Sequence, residues 1–181
     1  MSPFRRCISI YRNLDPVWRD PKTGGKVFIG NKTAAHSKEI LKANGIEAIV
    51  NCTQSISNRF EGDEDVEYYT FVIYRYMAEL NPAKTHKGVL EFFLPVFKWI
   101  DAQLKRGRSV LIHCLAGAHR AGTTGTAYVM YAARMYDHMQ AIRACQKCRP
   151  IVNPIHGLSG LLKQLGVGLN EANEAVRGKG E

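Results

Sequence analysis

The chain has 181 residues, 25 basic against 16 acidic side chains, a net charge of +9 and a sequence pI near 9.4. With 45% apolar and 23% charged residues it has the balance of one globular domain, large enough to bury a core without disulfide staples. No apolar run reaches the roughly 18 residues of a membrane span, and Cys7–Tyr11 is too short for a signal-peptide core.

In chain order, residues 1–25 read as irregular, because Pro3, Pro16, Pro21 and Gly24-Gly25 break any period. Val27-Phe28-Ile29 reads as a strand. A helix capped by Thr33 is expected to run through Leu41 and to end at Asn44-Gly45. Ile46–Val50 and Val66–Ile73 read as strands on either side of a polar loop. Phe93, Val96, Phe97, Ile100 and Leu104 fall at helical spacing, with Pro95 acceptable in an early turn and Gly107 as the stop. Ser109–Ile112 is an apolar strand, and a helix is expected to start near Arg120. Tyr128–Met135 and Asp137–Cys148 read as helices, with Arg149-Pro150 breaking the second. A short helix follows over Leu158–Leu165, and residues 170–181 read as a polar tail. Strands alternating with helices predict an α/β single domain, a central mainly parallel sheet of about five strands flanked by helices, over residues 26–169.

The charge does not make a nucleic-acid site. The acids gather at Glu61–Asp65, the basic residues are scattered, and no aromatic-basic alternation offers a stacking platform. The five cysteines, without an export signal, read as thiols in a reducing compartment, so the expected location is the cytoplasm, with the nucleus as the alternative. A monomer is expected.

The chemistry concentrates in Val110–Gly122. A buried strand delivers Cys114 to its carboxyl end, six residues before Arg120 at a helix start. The intervening Leu115, Ala116, Gly117, Ala118 and His119 make a tight loop whose backbone N–H groups can converge on a tetrahedral dianion. The helix N-terminus adds partial positive charge, and Arg120 offers a two-pronged contact to phosphoryl oxygens. The same field favours a thiolate at Cys114, aimed at phosphorus. Two other readings fail. Gly117-x4-Gly122 has nucleotide-loop spacing, but Thr123 stands where Lys is needed. Cys145-x2-Cys148 lies inside a predicted helix without a partner pair, so no metal site is expected.

His113-Cys114-x-x-Gly117-x-x-Arg120 resembles the signature of the cysteine-based dual-specificity phosphatases. The likeness extends through Lys26–Asn31, Leu41–Asn51, Trp99-Ile100-Asp101, Arg149–Leu158 and Gln164-Leu165, covering about residues 26–166. It implies hydrolysis of phosphotyrosine, with phosphoserine and phosphothreonine as further candidates, on a phosphorylated protein substrate. It also implies a phosphocysteine intermediate and no cofactor. Cys114 would be the nucleophile, Arg120 and the loop of residues 115–120 the phosphate holders, and His113 a neighbour that orients the loop. A phosphate-binding pseudophosphatase and a phosphoinositide or glucan phosphatase stand as alternatives.

The chain departs from the resembled pattern twice. No Asp occurs between Asp65 and Asp101, and the spot expected for the leaving-group acid falls near Tyr76. Glu79 is the acid available on that loop, either as proton donor or as a bystander. Ala121 stands where many members carry Ser or Thr, which implies a slow second step unless Thr123 or Thr124 substitutes. Finally, the resemblance offers Cys52 as a redox partner for Cys114, as in the lipid-phosphatase branch. The plainer reading is a packed core thiol.

Overall fold

The computed structural model describes residues 12–74 and 85–178. Its centre is a five-stranded sheet formed by β1 (Leu14–Arg19), β2 (Lys26–Gly30), β3 (Ile46–Asn51), β4 (Glu67–Thr70) and β5 (Ser109–His113), in the order β1-β2-β5-β3-β4. All neighbours run parallel except β1 on β2. The α/β architecture expected from sequence is the one observed.

Strand alternation divides the core. Val27, Ile29, Ala48, Val50, Val110 and Ile112 face one helical layer, while Phe28, Ile49 and Leu111 face the other. The second layer is thin: α1 (Lys32–Ala35) and α2 (Lys38–Ala43), which bury Ala34, Ala35 and Leu41. The first layer holds α3 (His86–Lys105), α4 (Arg120–Ala132), α5 (His138–Cys148) and α6 (Leu158–Arg177). The amphipathic stripe of α3 buries Phe93, Val96, Phe97, Ile100 and Leu104, as its spacing predicts.

Four expectations need correction. Residues 14–19 are not irregular but form β1. Pro16 hides the strand because it sits on an edge, where the pairing register with β2 shifts between Pro16 and Trp18, so its missing N–H costs no ladder bond. The single helix from Thr33 to Leu41 is two, α1 capped by Asn31 and α2 by Ser37, whose Oγ accepts from Ile40 N at 3.3 Å. The fourth strand is shorter than Val66–Ile73, spanning Glu67–Thr70. The last helix does not stop at Leu165 but runs to Arg177, through the stretch expected to be a tail. Gly166 and Gly168 serve close packing within it: a Cβ on Gly168 would stand 2.5 Å from His86 O, and one on Gly166 would collide with Tyr136 O.

Candidate active site

The four parallel strands end on one edge of the sheet, where ligands of such folds gather. β5 is buried along its whole length and delivers Cys114, 3% exposed, to that edge. Arg120 then opens α4. The loop between them is shaped by what happens to its carbonyl groups. Leu115 O accepts from Lys32 N at 3.1 Å, at the start of α1. Ala116 O and Gly117 O accept from Arg149 Nη2 and Nε at 3.0 and 2.9 Å. Ala118 O accepts from Asn153 N at 3.0 Å, and His119 O from Thr123 N at 2.8 Å and Thr123 Oγ1 at 2.7 Å.

A planar trans peptide sets its C=O and the next N–H on opposite sides. With the carbonyls of residues 115–119 held by surrounding elements, the N–H groups of 116–120 face the inside of the loop. One of them, Gly117 N, donates to Cys114 Sγ at 3.3 Å. Gly117 is required on two counts. Its φ is +70°, and a Cβ there would collide with Gly30 O and stand 2.8 Å from Arg149 Nη2. His119 supplies no side-chain cap to α4, so the first-turn N–H groups of the helix are left for an anion. The loop amide at Gly117 and the start of α4 at Arg120 therefore lie on the side of the loop where Cys114 ends β5.

All the loop residues named from sequence, Leu115 to Arg120, lie between the end of β5 and the first residue of α4, and the Leu115 side chain is 62% exposed. The His119 ring is tied to the neighbouring loop: Nδ1–H donates to Asn153 O at 2.6 Å. His113 is 1% exposed, and burial pushes it down to about 4, so it is neutral near pH 7. Among the described residues its Nδ1 has no hydrogen-bond partner.

Neither threonine offered as a substitute hydroxyl points toward the nucleophile's task. Thr123 Oγ1 donates to His119 O, and Thr124 Oγ1 donates to Arg120 O at 3.0 Å. Ala121 is fully buried, in the same core cluster as Cys114. Cys52 is also fully buried, its thiol donating to Thr124 Oγ1 at 3.5 Å, and desolvation pushes that thiol well above its ordinary value. Tyr76 and Glu79 lie outside the described residues. Cys145 is buried on α5 and Cys148 exposed. Among the described residues no group of three or more His, Cys, Asp or Glu is gathered to hold a metal ion, and no helix is long and apolar enough to cross a membrane.

Sequence reasoning missed Arg149, reading it only as a helix breaker and as part of a likeness. It is the largest fully buried side chain, 1% exposed, and it grips two loop carbonyls from a position 32 residues downstream of Gly117. The signal available was an Arg placed next to a Pro at a helix end, with no acid nearby in sequence to pair it.

Comparison with known proteins places the chain in context. Residues 27–167 match the family model described as dual specificity phosphatase, catalytic domain. The protein phosphatase Slingshot of Drosophila melanogaster is 30% identical over 128 residues, which are 71% of this chain and 11% of that protein. Human dual specificity protein phosphatase 13B is 30% identical over 164 residues, 90% of this chain and 75% of the relative. The crystal structure of human DUSP28 superposes with a TM-score of 0.66 at 21% identity, covering 90% of this chain and 96% of that one, a likeness of fold.

Proposed function

We propose that this chain, which belongs to the dual specificity phosphatase catalytic-domain family, hydrolyses phosphate monoesters on proteins, phosphotyrosine first and phosphoserine or phosphothreonine second. The observation that carries the reading is the loop after Cys114, whose carbonyls at residues 115–119 are all engaged and whose Gly117 amide donates to the Cys114 sulfur. Cys114 Sγ attacks phosphorus, the bond from phosphorus to the ester oxygen breaks, and a phosphocysteine forms. The inward amides and Arg120 carry the charge on the equatorial oxygens, the place where preorganised donors are worth most. Water then attacks phosphorus, the S–P bond breaks, and inorganic phosphate leaves. Glu79 is proposed as the donor of the proton that the leaving oxygen takes.

A second reading, a phosphoinositide substrate, draws on the rim. Among the described residues the strand-end loops 30–37, 52–60, 71–74, 114–120 and 149–157 contain no Asp or Glu. Besides the buried Arg149 they carry the cations Lys32, Arg59 and Arg120, a rim that favours a multiply charged anion. The test is a panel of phosphotyrosine and phosphothreonine peptides, phosphoinositides and phosphoglucan at one salt concentration. The highest kcat/KM on a phosphotyrosine peptide supports the protein reading. A phosphoinositide or phosphoglucan preferred by tenfold or more replaces it.

A further inference from the structure

Asp15 lies on β1, upstream of the matched residues 27–167, and no chemistry has yet been asked of it. It is 4% exposed. Its Oδ2 accepts from Arg149 Nη1 at 2.9 Å, and the same Nη1 donates to Arg12 O at 3.0 Å. The other two nitrogens of that guanidinium are the ones that hold Ala116 O and Gly117 O. A guanidinium is a rigid planar fork, so fixing one arm fixes the direction of the others.

The rest of the strap supports the same arrangement. Asn31 N donates to Asn13 O at 2.9 Å and Asn31 Nδ2 to Asn13 Oδ1 at 3.1 Å. Leu14 pairs with Gly30, the residue whose carbonyl closes on Gly117. Residues 12–15 therefore brace the cradle from behind, through both Arg149 and Gly30. Arg12 Nη1 also approaches Asp15 Oδ1 at 3.6 Å from the half-exposed side.

We infer that Asp15 is a positioning residue for the phosphate cradle: from β1 it anchors Arg149 in the orientation that turns the Ala116 and Gly117 carbonyls outward and their following amides inward. A buried ion pair is no default stability device, since apolar side chains of similar volume often do as well. What an apolar pair lacks is an arm that grips two carbonyls. The inference rests on the proposed phosphatase reading for its kinetic readout, but an oxyanion reads the cradle without turnover.

The experiment uses the full chain and four variants: Asp15→Asn, Asp15→Glu, Arg149→Lys and the Asp15→Asn/Arg149→Lys double. For each, kcat on an aryl phosphate, tungstate affinity by calorimetry and the thermal midpoint are measured, at a temperature where circular dichroism shows a folded chain. Asp15→Asn keeps the shape but weakens the anchor, and should lower kcat and tungstate affinity together, each about tenfold, as expected when oxyanion donors lose their aim. In the Arg149→Lys background the same change should alter both by less than twofold, because Asp15 acts through the fork. Asp15→Glu retains the charge pair for folding but moves the carboxylate by one methylene. It should show the same joint loss, and it decides the matter if Asp15→Asn does not fold. Folded Asp15 variants with kcat and tungstate affinity within twofold of wild type overturn the inference, even if they melt earlier. So does an Asp15→Asn loss that is equally large in the Arg149→Lys background. A wild-type chain that binds tungstate but turns over no phosphate ester defeats the phosphatase reading instead, and leaves the tungstate arm standing.

Discussion

Cys52 and Cys114 occupy equivalent places on neighbouring parallel strands, each one residue past the Asn51–His113 pair, with Cys52 N donating to His113 O at 2.9 Å. Both belong to the same core cluster, hence to the same face of the sheet. Adjacent strands lie roughly 4.8 Å apart, inside the span a disulfide accepts. Cys52 itself is held as a thiol by burial, against the smaller opposing effect of its bond to Thr124.

The first prediction follows from that pair. Peroxide should oxidise the Cys114 sulfur to a sulfenic acid, and attack by the Cys52 sulfur should form the disulfide and release water. Peptide mapping after peroxide should find a Cys52–Cys114 crosslink, with dithiothreitol restoring wild-type activity. Cys52→Ser should lose activity irreversibly under the same treatment. Equal recovery of both proteins with no crosslink would return Cys52 to a packing role.

Ala121 gives the second. The Thr123 and Thr124 hydroxyls both donate to backbone carbonyls of their own chain segment, His119 O and Arg120 O, rather than to Cys114. Ala121→Ser should speed hydrolysis of the phosphocysteine by about tenfold, the worth of one added hydrogen bond to a charged group. Pre-steady-state kinetics should show a product burst in wild type that shrinks in the variant. A wild type without a burst would show that the second step is not slow, and a burst unchanged in the variant would show that residue 121 does not govern it.

His113 sets a pH dependence of stability. Its folded value near 4 lies below the unfolded value of 6.5. Between those values the unfolded chain binds a proton that the folded chain refuses, so stability rises with pH across the window. The contribution, roughly 3 kcal/mol, is present above pH 6.5 and lost as pH falls toward 4. Denaturant unfolding from pH 4 to 7.5 should give a His113→Asn curve flatter than wild type by about that amount. Parallel curves would contradict the burial argument.

Much of the site could be read from the sequence because its chemistry is contiguous: Cys114, the loop glycine and Arg120 sit within seven residues, between an apolar strand and a helix start. What supports the loop could not. Asp15 and Arg149 are 134 residues apart and meet only because β1 lies at one edge of the finished sheet. Pro16 concealed the strand that carries Asp15, since its edge position is a tertiary fact. The directions of the Thr123 and Thr124 hydroxyls depend on rotamers that spacing does not set.

Glu79, outside the described residues, carries the fourth prediction. Glu79→Gln should reduce kcat on a phosphotyrosine peptide by about a hundredfold, within the usual range for a lost general acid. It should spare an activated aryl phosphate and remove the alkaline falling limb of the peptide pH profile. Equal losses on both substrates would point to lost binding or folding, and no loss would make Glu79 a bystander.

The central claim, that Cys114 is a nucleophile in an oxyanion cradle, is tested most directly by trapping the covalent intermediate. Wild-type chain mixed with a ³²P-labelled phosphotyrosine peptide and quenched in acid within the first turnover should carry label on Cys114. Cys114→Ser should carry none and lose turnover by at least a thousandfold, while still binding tungstate, as expected for loss of a nucleophile from an intact cradle. Label on another residue, or a Cys114→Ser chain that keeps a tenth of wild-type turnover, would contradict the account.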